Sequence, residues 1–210
     1  MFFEKKGLGA ALLGAIIALA ALTAPSQALD TANVAFVQTI AGIASIPVGH
    51  AEFCQHRPDE CRVNANMVPA VSLTEGLWQQ LLAVNATVNT GVVPVTDQDL
   101  YQVAEFWTYP NGYGDCEDYA LAKRRDLINA GWPASTLLIA VVKQANGEGH
   151  AVLMVRTDRG DLVLDNQVGS IDVWNATPYK FIKRQSQADA GKWVDMIDDR
   201  EIVVATAAIN

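Results

Sequence analysis

Apolar and polar positions alternate with different periods along the chain. Leu8 to Leu22 is an unbroken, uncharged apolar run of 15 residues. Residues 29–70 show no regular period and contain Pro47, Pro58 and Pro69, which predicts an irregular cap of short helices and loops. From Thr74 to Thr90, Leu77, Trp78, Leu81, Leu82, Val84 and Val88 recur at helical spacing, with Ser72 or Thr74 as start signal and Gly91 as stop. A second short helix is predicted over 97–107, before Pro110, Gly112 and Gly114 mark a loop. GDCEDYALAKRRDLINAG then reads as a helix with Asp115 at its N-cap, ending at Gly131 with Pro133 beyond. Three β-rich runs follow, Thr136–Lys143, His150–Arg156 and Leu162–Asp165, joined by QANGEG and by the tight turn TDRGD. Short turns between such runs predict an antiparallel meander. A last strand is expected around Tyr179–Lys183, followed by a weakly patterned tail.

The first apolar run is shorter than the ~20 residues a membrane-spanning helix needs. Lys5 and Lys6 precede it, and Ser26-Gln27-Ala28 puts small residues at the right offsets for a cut before Leu29. That is the pattern of a secretory signal peptide over 1–28 rather than an anchor. The remainder, 29–210, is read as one α+β domain: a cap over 29–70, a core over 71–185 and a tail over 186–210. Half of the 210 residues are hydrophobic and 18% are charged, so a packed core is expected rather than disorder. The net charge of −8 provides no global basic field for nucleic acid. An exported chain meets an oxidising environment, so Cys54 and Cys61, in FCQHRPDEC, are read as a local disulfide. A zinc site of Cys54, His56 and Cys61 is the competing reading, but it lacks a fourth ligand.

Cys116 is left unpaired, at the first turn of its predicted helix. Free N–H groups and the helix dipole favour an anion there, and the thiolate is the reactive form of cysteine. The glycine-rich YPNGYG before it lets a substrate approach the backbone, and the Cys116 N–H is a candidate oxyanion donor. His150 opens an apolar strand. Asp165 ends the neighbouring one, within reach of the imidazole if the strands pair around TDRGD. Each of these residues alone has an ordinary structural explanation: a small buried cysteine, a solvated histidine, a turn-forming aspartate. Together they form a nucleophile, a base and an orienting carboxylate.

The chain resembles the bacterial transglutaminase-like cysteine peptidases, whose better-known periplasmic members process large surface adhesins. The resemblance is carried by GDCEDYALAKR at 114–124, GHAVL at 149–153 and LVLDN at 162–166, with VNATVN at 84–89, EFW at 105–107 and FCQHRPDEC at 53–61. It covers most of residues 50–170. It implies a papain/transglutaminase-like core, with a nucleophile-bearing helix on an antiparallel sheet. Cys116 would then be the nucleophile, His150 the base then acid, and Asp165 the orienting carboxylate. It also implies a protein substrate, such as a cell-surface protein, and an inner-membrane receptor that restrains the enzyme. The approach YPNGYG looks shorter than in the adhesin-processing members, so a different substrate groove is expected.

Asp115, Glu117 and Asp118 crowd the nucleophile. Carboxylates suit a helix N-terminus, but they raise a neighbouring thiol's pKa. Either the His150 imidazolium or a bound Ca²⁺ would compensate, and the resemblance implies calcium at the acidic residues beside the nucleophile, here Asp115 and Glu117 first and Asp118 third. No organic cofactor is expected. An acyltransferase using the same thioester and a non-catalytic calcium-dependent binding module remain as alternatives. The five tryptophans read as packing residues, with Trp107 a candidate for the cleft wall. Lys123-Arg124-Arg125 reads as the solvated face of the helix.

Overall fold

The computed structural model describes Met1 and residues 36–201; the proposed signal peptide lies outside the described residues. Among the described residues there are four α-helices: α1 (Val48–His56), α2 (Glu75–Gly91), α3 (Asp97–Tyr101) and α4 (Cys116–Asn129). Nine strands accompany them: β1 (Gln38–Thr39), β2 (Val93–Pro94), β3 (Tyr113–Gly114), β4 (Leu137–Lys143), β5 (Gly149–Thr157), β6 (Gly160–Leu164), β7 (Asp172–Val173), β8 (Lys180–Gln185) and β9 (Trp193–Ile197). Seven form one antiparallel sheet in the order β1-β9-β8-β4-β5-β6-β7, and β2 and β3 form a small parallel pair.

The central strands β4, β5 and β6 are buried nearly throughout. Continuous apolar runs such as LLIAVV and AVLMV are what a sheet covered on both faces requires. One core cluster joins Leu138, Ala140 and Val142 of β4 to Val152 and Met154 of β5, with Phe181, Tyr179 and Met196 completing it. α4 packs on β5 and β4, and α2 packs on α4. The Thr74 side chain caps α2 by accepting the Leu77 N–H.

Three expectations need correction. The helix predicted over 97–107 stops at Tyr101, because Gln102 adopts a left-handed backbone at φ 62°. The supposedly unpatterned tail contributes β9, which pairs with β8 and, from the far end of the chain, with β1. The cap, by contrast, has the short helix expected of it, α1 over nine residues, and the Cys54–Cys61 disulfide closes with Cα atoms 5.6 Å apart. Finally, Lys123 and Arg124 are buried at 1% and 5% exposure rather than solvated, since the sheet and α2 enclose α4. Arg124 donates from Nε to the Leu137 carbonyl at 3.1 Å.

Candidate active site

β3 leads directly into the N-terminus of α4. A Cβ on Gly114 would lie 2.5 Å from Oδ2 of Asp118, so only glycine allows this close approach. Asp115 holds the N-cap position with an extended backbone, but its side chain makes no capping bond; Oδ2 instead accepts the Asp97 N–H at 3.2 Å. The Asp118 Oδ1 accepts the Thr108 N–H at 2.9 Å, and the Asp115 N–H also pulls this carboxyl down. Cys116, the first residue of α4, is a free, partly exposed cysteine. Its Sγ donates to Oε2 of Glu117 at 3.1 Å and accepts the Ala151 N–H at 3.3 Å. Burial pushes the thiol up strongly, and the Glu117 and Asp115 carboxylates push it further, while the Ala151 N–H pulls it down.

His150 is the second residue of β5 and is buried. The β5–β6 register pairs Leu153 with Leu164, so one step further sets Asp165 opposite Val152, diagonal to His150 and on its side of the sheet. His150 Nε2 meets Asp165 Oδ1 at 2.9 Å. Two other groups hold this carboxylate, and a third holds the residue's backbone. The Tyr179 hydroxyl donates to Oδ2, the Gln167 N–H donates to Oδ1 at 3.0 Å, and Asn89 Nδ2 grips the Asp165 backbone carbonyl at 2.8 Å. Burial pushes the Asp165 carboxyl up, but the His150, Tyr179 and Gln167 hydrogen bonds outweigh it and leave it below the usual range. An ionised Asp165 fixes the imidazole with Nε2–H toward the carboxylate. Nδ1 is then the free base, with Gln167 Nε2 3.5 Å away.

Cys116, Glu117, His150 and Ala151 line one cavity of about 480 Å³. Ile46, Pro47 and Val48 form another side of it, and Trp107 lines it as the sequence suggested. Trp107 is fixed by Gly49, where a Cβ would lie 2.2 Å from Cδ1, and by its indole N–H donating to Glu105 Oε2 at 3.1 Å.

The acidic cluster differs in one member from the sequence reading. The carboxylates within 4.8 Å of one another are those of Asp97, Asp115 and Glu117. Asp118 lies outside that trio. Asp97 Oδ1 and Asp115 Oδ1 are buried with no hydrogen-bond partner, although Asp97 Oδ2 accepts the Phe106 N–H. Burial and then the Asp115 carboxylate push Glu117 up to about 9. Burial, with Asp115 and Asp97 adding to it, pushes Asp118 up to about 8 against the pull of the Thr108 N–H. Orphaned carboxylate oxygens among like charges are a donor set suited to a hard divalent cation. The Cys54–Cys61 bond, by contrast, consumes both thiols that a zinc site there would need.

Sequence reasoning missed Asp97, Tyr179 and Gln167, and gave no role to Asn89. Asn89 lies in the VNATVN stretch that already stood out, whereas nothing local distinguishes the other three.

A helix carrying a cysteine at its first turn, laid on an antiparallel sheet in an α+β domain, is the transglutaminase-like architecture. The family described as bacterial transglutaminase-like cysteine proteinase, BTLCP, matches residues 40–201, and the chain belongs to that family. Among curated proteins nothing matches. Solved structures similar to it include calcium-bound LapG of Legionella pneumophila, 27% identical with a TM-score of 0.47, the match covering 51% of this chain and 64% of that one. The EGTA-treated form of the same protein is 28% identical with a TM-score of 0.46, over 51% and 62%. The chain thus spans just under two thirds of these proteins' length.

Proposed function

We propose that the protein is an exported cysteine peptidase that hydrolyses a protein substrate through a Cys116–His150–Asp165 triad. The observation that carries this reading is the 2.9 Å His150–Asp165 contact beside a cavity that also contains the free Cys116 sulfur. His150 Nδ1 takes the thiol proton as the thiolate adds to the scissile carbonyl, and the N–H of Cys116 at the helix start faces the developing oxyanion. The tetrahedral adduct collapses as the C–N bond breaks and the imidazolium gives its proton to the leaving amine. Water, deprotonated by the same Nδ1, then hydrolyses the thioester and regenerates the thiol. Asp165 stays ionised throughout, holding the ring and stabilising the imidazolium.

Asp97, Asp115 and Glu117 are the residues proposed to hold calcium. The cation would cancel the negative charge that otherwise opposes thiolate formation at Cys116. Export rests on the 1–28 pattern, and among the described residues no helix is long and apolar enough to cross a membrane. A cell-surface protein is the proposed substrate, and an inner-membrane receptor the proposed restraint. The test is digestion of an unfolded protein such as reduced casein by residues 29–210 in millimolar Ca²⁺. Cleavage is expected from the wild type and not from Cys116→Ala or His150→Ala. Equal cleavage by His150→Ala would overturn the assignment of the base.

A further inference from the structure

The sheet side of the cavity is a single cross-strand row. Ala151 of β5 pairs with Val141 of β4, and Val141 pairs with Lys183 of β8. All three line the cavity that contains Cys116. The row begins at the nucleophile, where the Ala151 N–H contacts Sγ at 3.3 Å, and its side chains go from small to branched apolar to cationic. Adjacent strands are ~4.8 Å apart, so Lys183 sits about 10 Å from Ala151, the span of two to three residues of an extended peptide. The other formally charged side chains on the wall, His150 aside, are the carboxyl groups of Glu105 and Glu117.

Lys183 is not neutralised by its surroundings. Asp195 is its cross-strand partner on β9, but among the described residues Lys183 takes part in no ion pair. Its Nζ instead bonds the Ser45 carbonyl at 3.0 Å and the Ser45 hydroxyl at 2.5 Å, in the segment leading to the facing wall. Both partners are neutral acceptors on an exposed loop, so no carboxylate is bonded to the ammonium at the end of the cleft.

We infer that Lys183 is a specificity-determining residue that selects an acidic side chain two to three residues from the scissile bond, with small or apolar residues between. This rests on the peptidase reading above and goes beyond it by naming the substrate's charge pattern. An acidic side chain at the other end of the wall meets Glu105, so charge also sets the register in which a peptide lies. Lys183 is partly exposed, and ion pairs at such sites contribute only ~0.2–1 kcal/mol, so the preference is about two- to fivefold.

The experiment is digestion of a proteome-derived peptide library in millimolar Ca²⁺, with cleavage sites mapped by mass spectrometry. The wild type is expected to enrich Asp and Glu about two- to fivefold at the second or third residue on one side of the cut, less so in 0.5 M salt. Lys183→Gln should lose the enrichment while still cleaving, and Lys183→Glu should enrich Lys and Arg at the same position. Cleavage by the wild type with no acidic enrichment, or enrichment unchanged in Lys183→Glu, overturns the inference and leaves the peptidase reading intact. No Cys116-dependent cleavage at all overturns both.

Discussion

The carboxylate of Asp165 illustrates how much of a site is set by partners that have no chemistry of their own. Its Oδ2 accepts the Tyr179 hydroxyl in a buried setting. Removing that hydroxyl leaves a desolvated anion short of one donor, which costs about 1–3 kcal/mol. Tyr179→Phe is therefore expected to lower both stability and turnover, by roughly two- to tenfold in kcat if half of that cost falls on the ionised form that holds the imidazolium. Urea unfolding and kcat on a cleaved peptide would check it, and unchanged values in both would remove Tyr179 from the site. Asp97→Asn tests the acidic cluster: the wild type should gain thermal stability in millimolar Ca²⁺, and the variant should lose most of that gain. Cys116, His150 and Asp165 were legible because each occupies a recognisable position at an element's edge. Asp97 was not. It lies at the start of α3, 18 positions before Asp115, and only the β2–β3 pairing brings those segments together.

At the scale of elements, the start of α4 is where local and tertiary demands compete. Asp115 was expected to cap the helix, yet its side chain accepts the Asp97 N–H, and Asp118 accepts the Thr108 N–H. Both serve the loop over the cleft instead. Gly114→Ala would drive a methyl group into the Asp118 carboxylate, and it is expected to cost about 1–3 kcal/mol and to displace Cys116. Normal stability with normal thiol alkylation would show that the contact relaxes at no cost. The long amphipathic α2 and the strands β4, β5 and β6 were readable because their signals are local and periodic. β9 was not, since WVDMI has no clean alternation and its second partner is β1, almost 160 residues earlier. The burial of Lys123 was equally invisible: a basic triplet looks solvated unless one knows that α2 and the sheet enclose the helix from two sides.

For the whole molecule, His50 joins the cap to the last strands. It is 1% exposed, accepts the Trp193 indole N–H at Nδ1 at 3.1 Å, and lies 3.0 Å from the Gln185 amide. Trp107, on the cleft wall, packs edge-on against the same ring at 5.4 Å. Burial, with the Arg124 charge adding to it, pushes His50 down to about 4 from 6.5. The folded protein thus keeps the ring neutral where the unfolded chain would protonate it. Between pH 6.5 and about 4 the unfolded state binds more protons, so stability falls as pH falls through that window, by about 3 kcal/mol in all. Asp165 and Asp198, both held below the usual range, lose their contributions at the acidic end and steepen the fall in the same direction. Glu117 and Asp118 act oppositely. Raised to about 9 and 8, they weaken the fold as pH rises above their unfolded values, and a bound cation would flatten that limb. Denaturant unfolding of the wild type and His50→Gln in saturating Ca²⁺ isolates the histidine. The wild-type slope between pH 6 and 4.5 should exceed the variant's by about 1.4 kcal/mol per pH unit, one proton's worth. Because the ring touches both Trp107 and β9, the same protonation should loosen the cleft wall, visible as a change in Trp fluorescence with a midpoint above the unfolding transition. Identical slopes in the two proteins would mean that the ring titrates without consequence for the fold, and that the cap is held to β9 by Trp193 packing and backbone pairing alone.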